Sequence, residues 1–270
     1  MRRLPLFSGF LLSLLLAGCQ SVKHPEPDRS IKTGAIQGVS QANAPAPGGL
    51  NPARSHHLVG RTLVVSSIAD IKLAEKELIL SFDDGPIPGR TEKVLATLNE
   101  FGVKGAFMMV GEMAALHPDL AKEVARDGNT IGSHTFKHAN LAALNFDAAL
   151  AEVVRGQAAV TKATGADVNF FRFPYLADSR KLRAAVTMRD MIVMDVDIDS
   201  KDYYRVSPSA VMKRTMDVVR KKGRGIVLMH DIHLRTAGFL PTFLTKLESE
   251  GYKVVTLKFK KRPTSEIAAS

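Results

Sequence analysis

The sequence predicts an α/β fold built on parallel strands, and two observations carry that prediction. Short apolar runs alternate with amphipathic helical stretches along most of the chain, and parallel neighbours need a crossover helix between them. The residues able to do chemistry fall at the ends of those runs, where ligands collect in parallel α/β folds. A closed barrel and an open doubly wound sheet both satisfy the alternation.

In chain order, the apolar runs are Leu78 to Phe82, Gly105 to Val110, Thr130 to Ser133, Asn169 to Phe173, Met191 to Val196, Ile226 to Met229 and Tyr252 to Leu257, about seven strands. Residues 62 to 67 (TLVVSS) read as a further strand ahead of them. Between the runs, helices are expected over Arg90 to Glu100, Pro118 to Arg126, Phe146 to Thr164, Ser179 to Met188, Pro208 to Arg220 and Leu240 to Ser249. Spacings such as Leu150, Val153 and Val154 gather apolar groups on one face. Gly102 and Gly128 fit left-handed caps.

The composition, 45% hydrophobic and 24% charged over 270 residues, excludes a disordered or collagen-like chain. One cysteine excludes an internal disulfide. That residue, Cys19, follows two arginines and an apolar run ending in small residues, the pattern of an export signal. The run is short for a membrane anchor, which needs about 20 apolar residues. Leu16-Ala17-Gly18-Cys19 resembles a bacterial lipobox, implying a signal peptide over residues 1–18, a lipid on Cys19 and an exported chain held to a membrane, facing the periplasm or cell envelope. Residues 19–60, rich in Gly, Pro, Ala, Ser, Gln and Asn, read as a flexible tether, leaving 61–270 as the folded domain. The net charge of +10 suits an anionic envelope surface or an acidic polymer. No basic helix or aromatic-basic pattern points to nucleic acid, and no protein partner is evident.

Five constellations follow strands. Ser81-Phe82-Asp83-Asp84-Gly85-Pro86 ends the first, and by itself reads equally as a turn. His134 and His138 follow the third; four residues apart, they face one metal if the segment turns helically, with Asp84 available as a third ligand and open positions left for water and substrate. Arg172 ends the fourth and can fork onto a carboxylate, or merely snorkel. Asp199 to Tyr204 follow the fifth. Leu228 to Asp231 end the sixth, where His230 suits a proton donor or a satisfied core histidine. Tyr175, Tyr203 and Tyr204, three of the four tyrosines, fall in these loops, and with Trp absent they are the rings available to stack on a sugar face.

Taken together, over residues 75 to 257, these motifs resemble the polysaccharide deacetylases, the carbohydrate esterases that share the NodB homology domain. The resemblance implies a distorted (β/α) barrel and metal-dependent removal of N-acetyl groups from N-acetylglucosamine-type residues of an envelope polysaccharide, peptidoglycan first among them. By the same resemblance Asp83 is the general base, positioned by Arg172. Asp84, His134 and His138 hold one divalent ion, zinc in the first place, with cobalt or nickel as alternatives. Asp202 tunes His230, the general acid. The backbone N–H of Tyr175 meets the oxyanion, Leu228 the acetyl methyl, and Tyr203 the sugar. Ser81 stands where the family usually has Thr, a harmless replacement, while Leu176 and Tyr203 stand where it has Gly and Trp, which bears on the cleft wall more than on the chemistry. A chitooligosaccharide deacetylase of the nodulation type, an O-acetyl esterase and a catalytically inactive glycan-binding lipoprotein are the alternatives. The last is disfavoured, because the base, the acid and all three ligands are present.

Overall fold

The computed structural model describes residues 57–261. The signal peptide, Cys19 and nearly all of the expected tether lie outside the described residues. Packed structure begins before the expected boundary at residue 61. Leu58 is fully buried and its carbonyl accepts the Val254 N–H, which ties it to the last strand.

The strands are β1 (Val59–Val65), β2 (Glu77–Asp83), β3 (Ala106–Met109), β4 (Thr130–Ser133), β5 (Phe170–Phe171), β6 (Ile192–Val193), β7 (Ile198–Asp199), β8 (Gly225–His230) and β9 (Lys253–Phe259). The helices are α1 (Thr91–Glu100), α2 (Gly111–Leu116), α3 (Pro118–Arg126), α4 (Phe146–Thr164), α5 (Arg180–Thr187), α6 (Pro208–Lys222) and α7 (Leu234–Ser249). Among the described residues, none is long and apolar enough to cross a membrane.

Every strand pairing is parallel. Strands β2 to β6 pair in chain order, and β7, β8 and β2 continue the circuit, with no ladder joining β6 to β7 among the described residues. The result is a seven-stranded barrel open at one seam, with β1 and β9 attached beside the start of β2. The seven differ from those expected. The Tyr252 to Leu257 run is β9, outside the circuit, whereas β7 is two residues in an aspartate-rich stretch with no apolar run to announce it.

Side-chain alternation sorts the core. In β2, Leu78, Leu80 and Phe82 pack outward with Val94, Leu98 and Phe243 of the helices, while Ile79 belongs to an inner cluster with Met108, Phe170 and Ile226. The same alternation turns Ser81 and Asp83 inward, since the two contact one buried arginine there. Helix starts are capped as their sequences suggest: the side chains of Asn145, Ser179 and Ser207 accept backbone N–H groups of α4, α5 and α6. Helix α7 begins at Leu234, ahead of the expected Leu240, because Pro241 lies inside it rather than at its start. The short helix α2 has no sequence forecast; its first residue directly follows the Gly105 to Val110 run.

Candidate active site

At the carboxyl ends of the barrel strands a cavity of about 510 Å³ collects Asp83, Asp84, His134, His138, Leu228 and His230, with Tyr175 and Tyr203 on its walls. Among the described residues, six of the eight non-glycine residues with left-handed φ, Asp84, Thr135, His138, Tyr175, Leu176 and Lys201, sit in the loops around it. Such conformations cost roughly 1–3 kcal/mol each and persist where surrounding structure imposes them.

Asp83 closes β2, and its buried Oδ1 accepts a 2.6 Å bond from Arg172 Nη1. The same nitrogen donates to Ser81 Oγ at 2.9 Å, and Arg172 Nε to the Met194 carbonyl at 3.1 Å. Arg172, 1% exposed, thus spans from the end of β5 to β2 and to the segment at the open seam. Ser81, read from sequence as a harmless replacement for Thr, supplies a hydroxyl that holds this arginine. Nothing local in the sequence marks Met194 as its carbonyl partner.

Asp84 follows with φ 80°, so two consecutive carboxylates reach one cavity despite strand alternation. Its Oδ1 is buried without a hydrogen-bond partner. It lies 3.6 Å from His134 Nε2 and 3.3 Å from His138 Nε2. The two imidazoles do not come together on a helical turn, as their spacing suggested. Thr135 and His138 have φ 66° and 56°, and this irregular loop folds both rings toward Asp84. Gly156 of α4 makes room for it: a Cβ there would stand 2.4 Å from the Thr135 carbonyl carbon. A glycine inside an amphipathic helix was the available signal for that contact.

These three residues fit a divalent ion. Their ligand atoms lie within 4.8 Å of one another. His134 Nδ1 is 2.8 Å from the Arg172 carbonyl, which fixes the tautomer and leaves Nε2 as the acceptor. Burial lowers the His134 pKa, against the pull of Asp83 and Asp84, and so favours the neutral ring a metal needs. An unpartnered buried carboxylate oxygen completes a donor set suited to zinc and similar ions.

Across the cavity, Asp202 accepts from the His230 backbone N–H and from Thr236 Oγ1 through Oδ2, and from His230 Nδ1 through Oδ1, at 2.6–2.7 Å. Burial alone would raise the Asp202 carboxyl, but the hydrogen bonds and charge of its partners hold it below the usual carboxylate range. For His230 burial opposes the charged ring, yet the hydrogen bond and charge of Asp202, helped by Asp83 and Asp84, lift its pKa to about 9. With Nδ1 occupied, Nε2 is the atom free to serve the cavity as a proton donor. Thr236 had no sequence signal.

Leu228, two residues before His230 on the same face of β8, lines the cavity beneath it. Tyr175 sets its ring edge-on to His138, with centroids 4.7 Å apart, and is 67% exposed. Tyr203 lies edge-on to His230 and donates its hydroxyl to Asp199 Oδ2 at 2.9 Å; burial and that bond push its pKa up to about 12. Tyr204 meets Tyr203 edge-on but does not line the cavity. Phe173, Leu176, Asp199 and His233 complete the lining.

Residues 70–191 match the family model described as polysaccharide deacetylase, so Asp202, Leu228 and His230 lie beyond the matched stretch. Over 182 residues the chain is 32% identical to a peptidoglycan-N-acetylglucosamine deacetylase of Listeria monocytogenes. Over 184 residues it is 28% identical to a peptidoglycan-N-acetylmuramic acid deacetylase of Bacillus subtilis. The matches take in 67% and 68% of this chain but 38% of each relative, so the chain spans about two fifths of their length. A solved peptidoglycan deacetylase of Bdellovibrio bacteriovorus aligns with a TM-score of 0.66 and 35% identity, over 78% of this chain and 58% of that one.

Proposed function

This chain carries a polysaccharide deacetylase domain, and from that we propose that it is a metal-dependent N-deacetylase of envelope peptidoglycan, exported and lipid-anchored through Cys19. The observation that carries the reading is the arrangement of one cavity. That cavity gathers a ligand set, an arginine-held carboxylate and an aspartate-held imidazole whose pKa is about 9.

Asp84, His134 and His138 would hold the ion, zinc in the first place; when bound, it would lower the pKa of water and polarise the amide carbonyl. Asp83, kept in place by Arg172, accepts the proton of the attacking water through Oδ2, the oxygen that faces His134 at 3.8 Å. His230, protonated at neutral pH, donates from Nε2 to the departing amine, without which an amide nitrogen leaves poorly. The Tyr175 N–H donates to the oxyanion, and Leu228 packs on the acetyl methyl. Water and one acetamide give acetate and a free amine. The exposed rings of Tyr175 and Tyr203 offer flat apolar surface to neighbouring sugars.

Both aminosugars of peptidoglycan are represented among the relatives, so the test keeps them apart. Acetate release by the full chain with Zn²⁺ is measured on peptidoglycan and on N-acetylglucosamine oligomers, and mass spectrometry assigns which sugar loses its acetyl group. Release is expected, falling about 100- to 10,000-fold in Asp83→Asn and in His230→Ala. Zinc-loaded protein that releases nothing from either substrate would overturn the reading.

A further inference from the structure

We propose that Asp231, a buried carboxylate outside the cavity, is a positioning residue for the metal ligand Asp84, acting through the turn that joins β2 to α1. The inference rests on the metal-site reading above.

Asp84 is the one ligand shared by both imidazoles, yet no hydrogen bond holds its inner oxygen. Its place therefore depends on the backbone that carries it, which leaves the strand at φ 80°. On one side that backbone is held from β3: Asp84 N–H donates to the Met108 carbonyl and Val110 N–H to the Gly85 carbonyl, at 3.2 and 3.1 Å. On the other side the holder is Asp231. Its Oδ1 accepts the Gly85 N–H at 3.1 Å and its Oδ2 the Thr91 hydroxyl at 2.6 Å. Thr91 Oγ1 in turn accepts the Ile87 N–H at 2.8 Å, so one carboxylate organises both ends of the segment from Gly85 to Thr91. Next door, Arg90 Nη1 donates to the Ile232 carbonyl at 2.6 Å.

The approach is close enough to dictate sequence. A Cβ on Gly85 would stand 2.1 Å from Asp231 Oδ2, so glycine is required there for the carboxylate to reach the turn. Asp231 is 1% exposed and does not line the cavity, which removes it from contact with substrate. A carboxylate is costly to bury unless hydrogen-bonded, and both oxygens here are spent on a single turn. Asp231 also follows His230 directly, so the end of β8 supplies the acid from one residue and, from the next, the clamp on the turn after the neighbouring strand β2.

The test compares the wild-type full chain with Asp231→Ala, Asp231→Asn and Thr91→Val. Co²⁺ and Zn²⁺ affinities are read by competition with a chromophoric chelator, the Co²⁺ visible spectrum is recorded, and metal-free melting temperature reports folding. Asparagine can accept from Gly85 and donate to Thr91, so Asp231→Asn should bind metal within a few-fold of wild type with an unchanged Co²⁺ spectrum. Asp231→Ala should lose about 10- to 100-fold in affinity, the range found when outer partners of metal ligands are removed, with an altered spectrum. Thr91→Val, which removes one leg of the clamp, should fall between and decides the matter if the alanine variant does not fold. Wild-type affinity and spectrum in Thr91→Val and in a folded Asp231→Ala overturn the proposal. So does equal loss in Asn and Ala, which would assign the effect to charge. If the wild type itself binds neither ion, this inference and the metal-site reading fall together.

Discussion

A buried cation between two strands is tolerated only where its partners meet it, and Arg172 meets four groups: Asp83, Ser81 and the carbonyls of Met194 and Asp195. Replacing it with methionine strands the Asp83 charge, and the expected loss, by urea unfolding, is about 3–5 kcal/mol. Adding Asp83→Asn should recover much of that, because the orphaned charge goes with it. As the proposed general acid, His230 should set the alkaline edge of activity. Its folded pKa of about 9 lies above the ordinary 6.5, so its contribution to stability is complete below pH 6.5 and is lost as pH rises through 9. The acid form disappears over the same window, and kcat/KM should fall with a midpoint near 9. In Asp202→Asn the group that raises the imidazole is neutral, so the midpoint in a pH–rate profile should move down by about one unit or more. Asp83, Asp84, His134, His138 and His230 stood out in sequence because each is a titratable residue at the end of a strand or in the loop that follows it. Ser81 and Thr236 were not, since a hydroxyl carries no mark of the partner it will meet.

The loops carry the strain. Tyr175 and Leu176 both have left-handed φ, 60° and 54°, and both expose large side chains at the cavity rim. Leu176→Gly removes a penalty of roughly 1 kcal/mol or more, and a higher melting temperature is expected; an unchanged or lower one would show that the leucine side chain is supported by its surroundings. Gly156→Ala works in the opposite direction. Its new methyl would press on the Thr135 backbone from α4, and both melting temperature and metal affinity should drop, the second because the pressed loop carries His134 and His138. Elements were legible where a run was long: α3 and α4 match their expected limits residue for residue. Short ones were not. β7 comprises two residues whose pairing with β8 is set by position in the barrel rather than by composition, and the proline that marks a helix start in sequence lies within α7.

For the whole molecule, ligation by residues after β2 and β4 would join separate parts of the barrel, so an ion that binds only the folded state would add its binding energy to stability. At 100 times its Kd that is about 2.7 kcal/mol, and a chelator should lower the melting temperature of the wild type but not of His134→Ala. The parallel alternation disclosed an α/β fold because crossover helices leave a periodic trace, and the barrel was implied only by the family resemblance; the open seam between β6 and β7 left no trace, being closed by no ladder among the described residues. All nine strands among the described residues run one way, and this orients the barrel. The cavity lies where strands end, whereas the described chain begins at His57, beside Lys253 at the start of β9, and runs directly into β1. Were the chain held through the segment that leads into β1, as the proposed anchoring requires, the barrel would be held by its base, like a lamp on its stand, with its mouth at the end away from the hold.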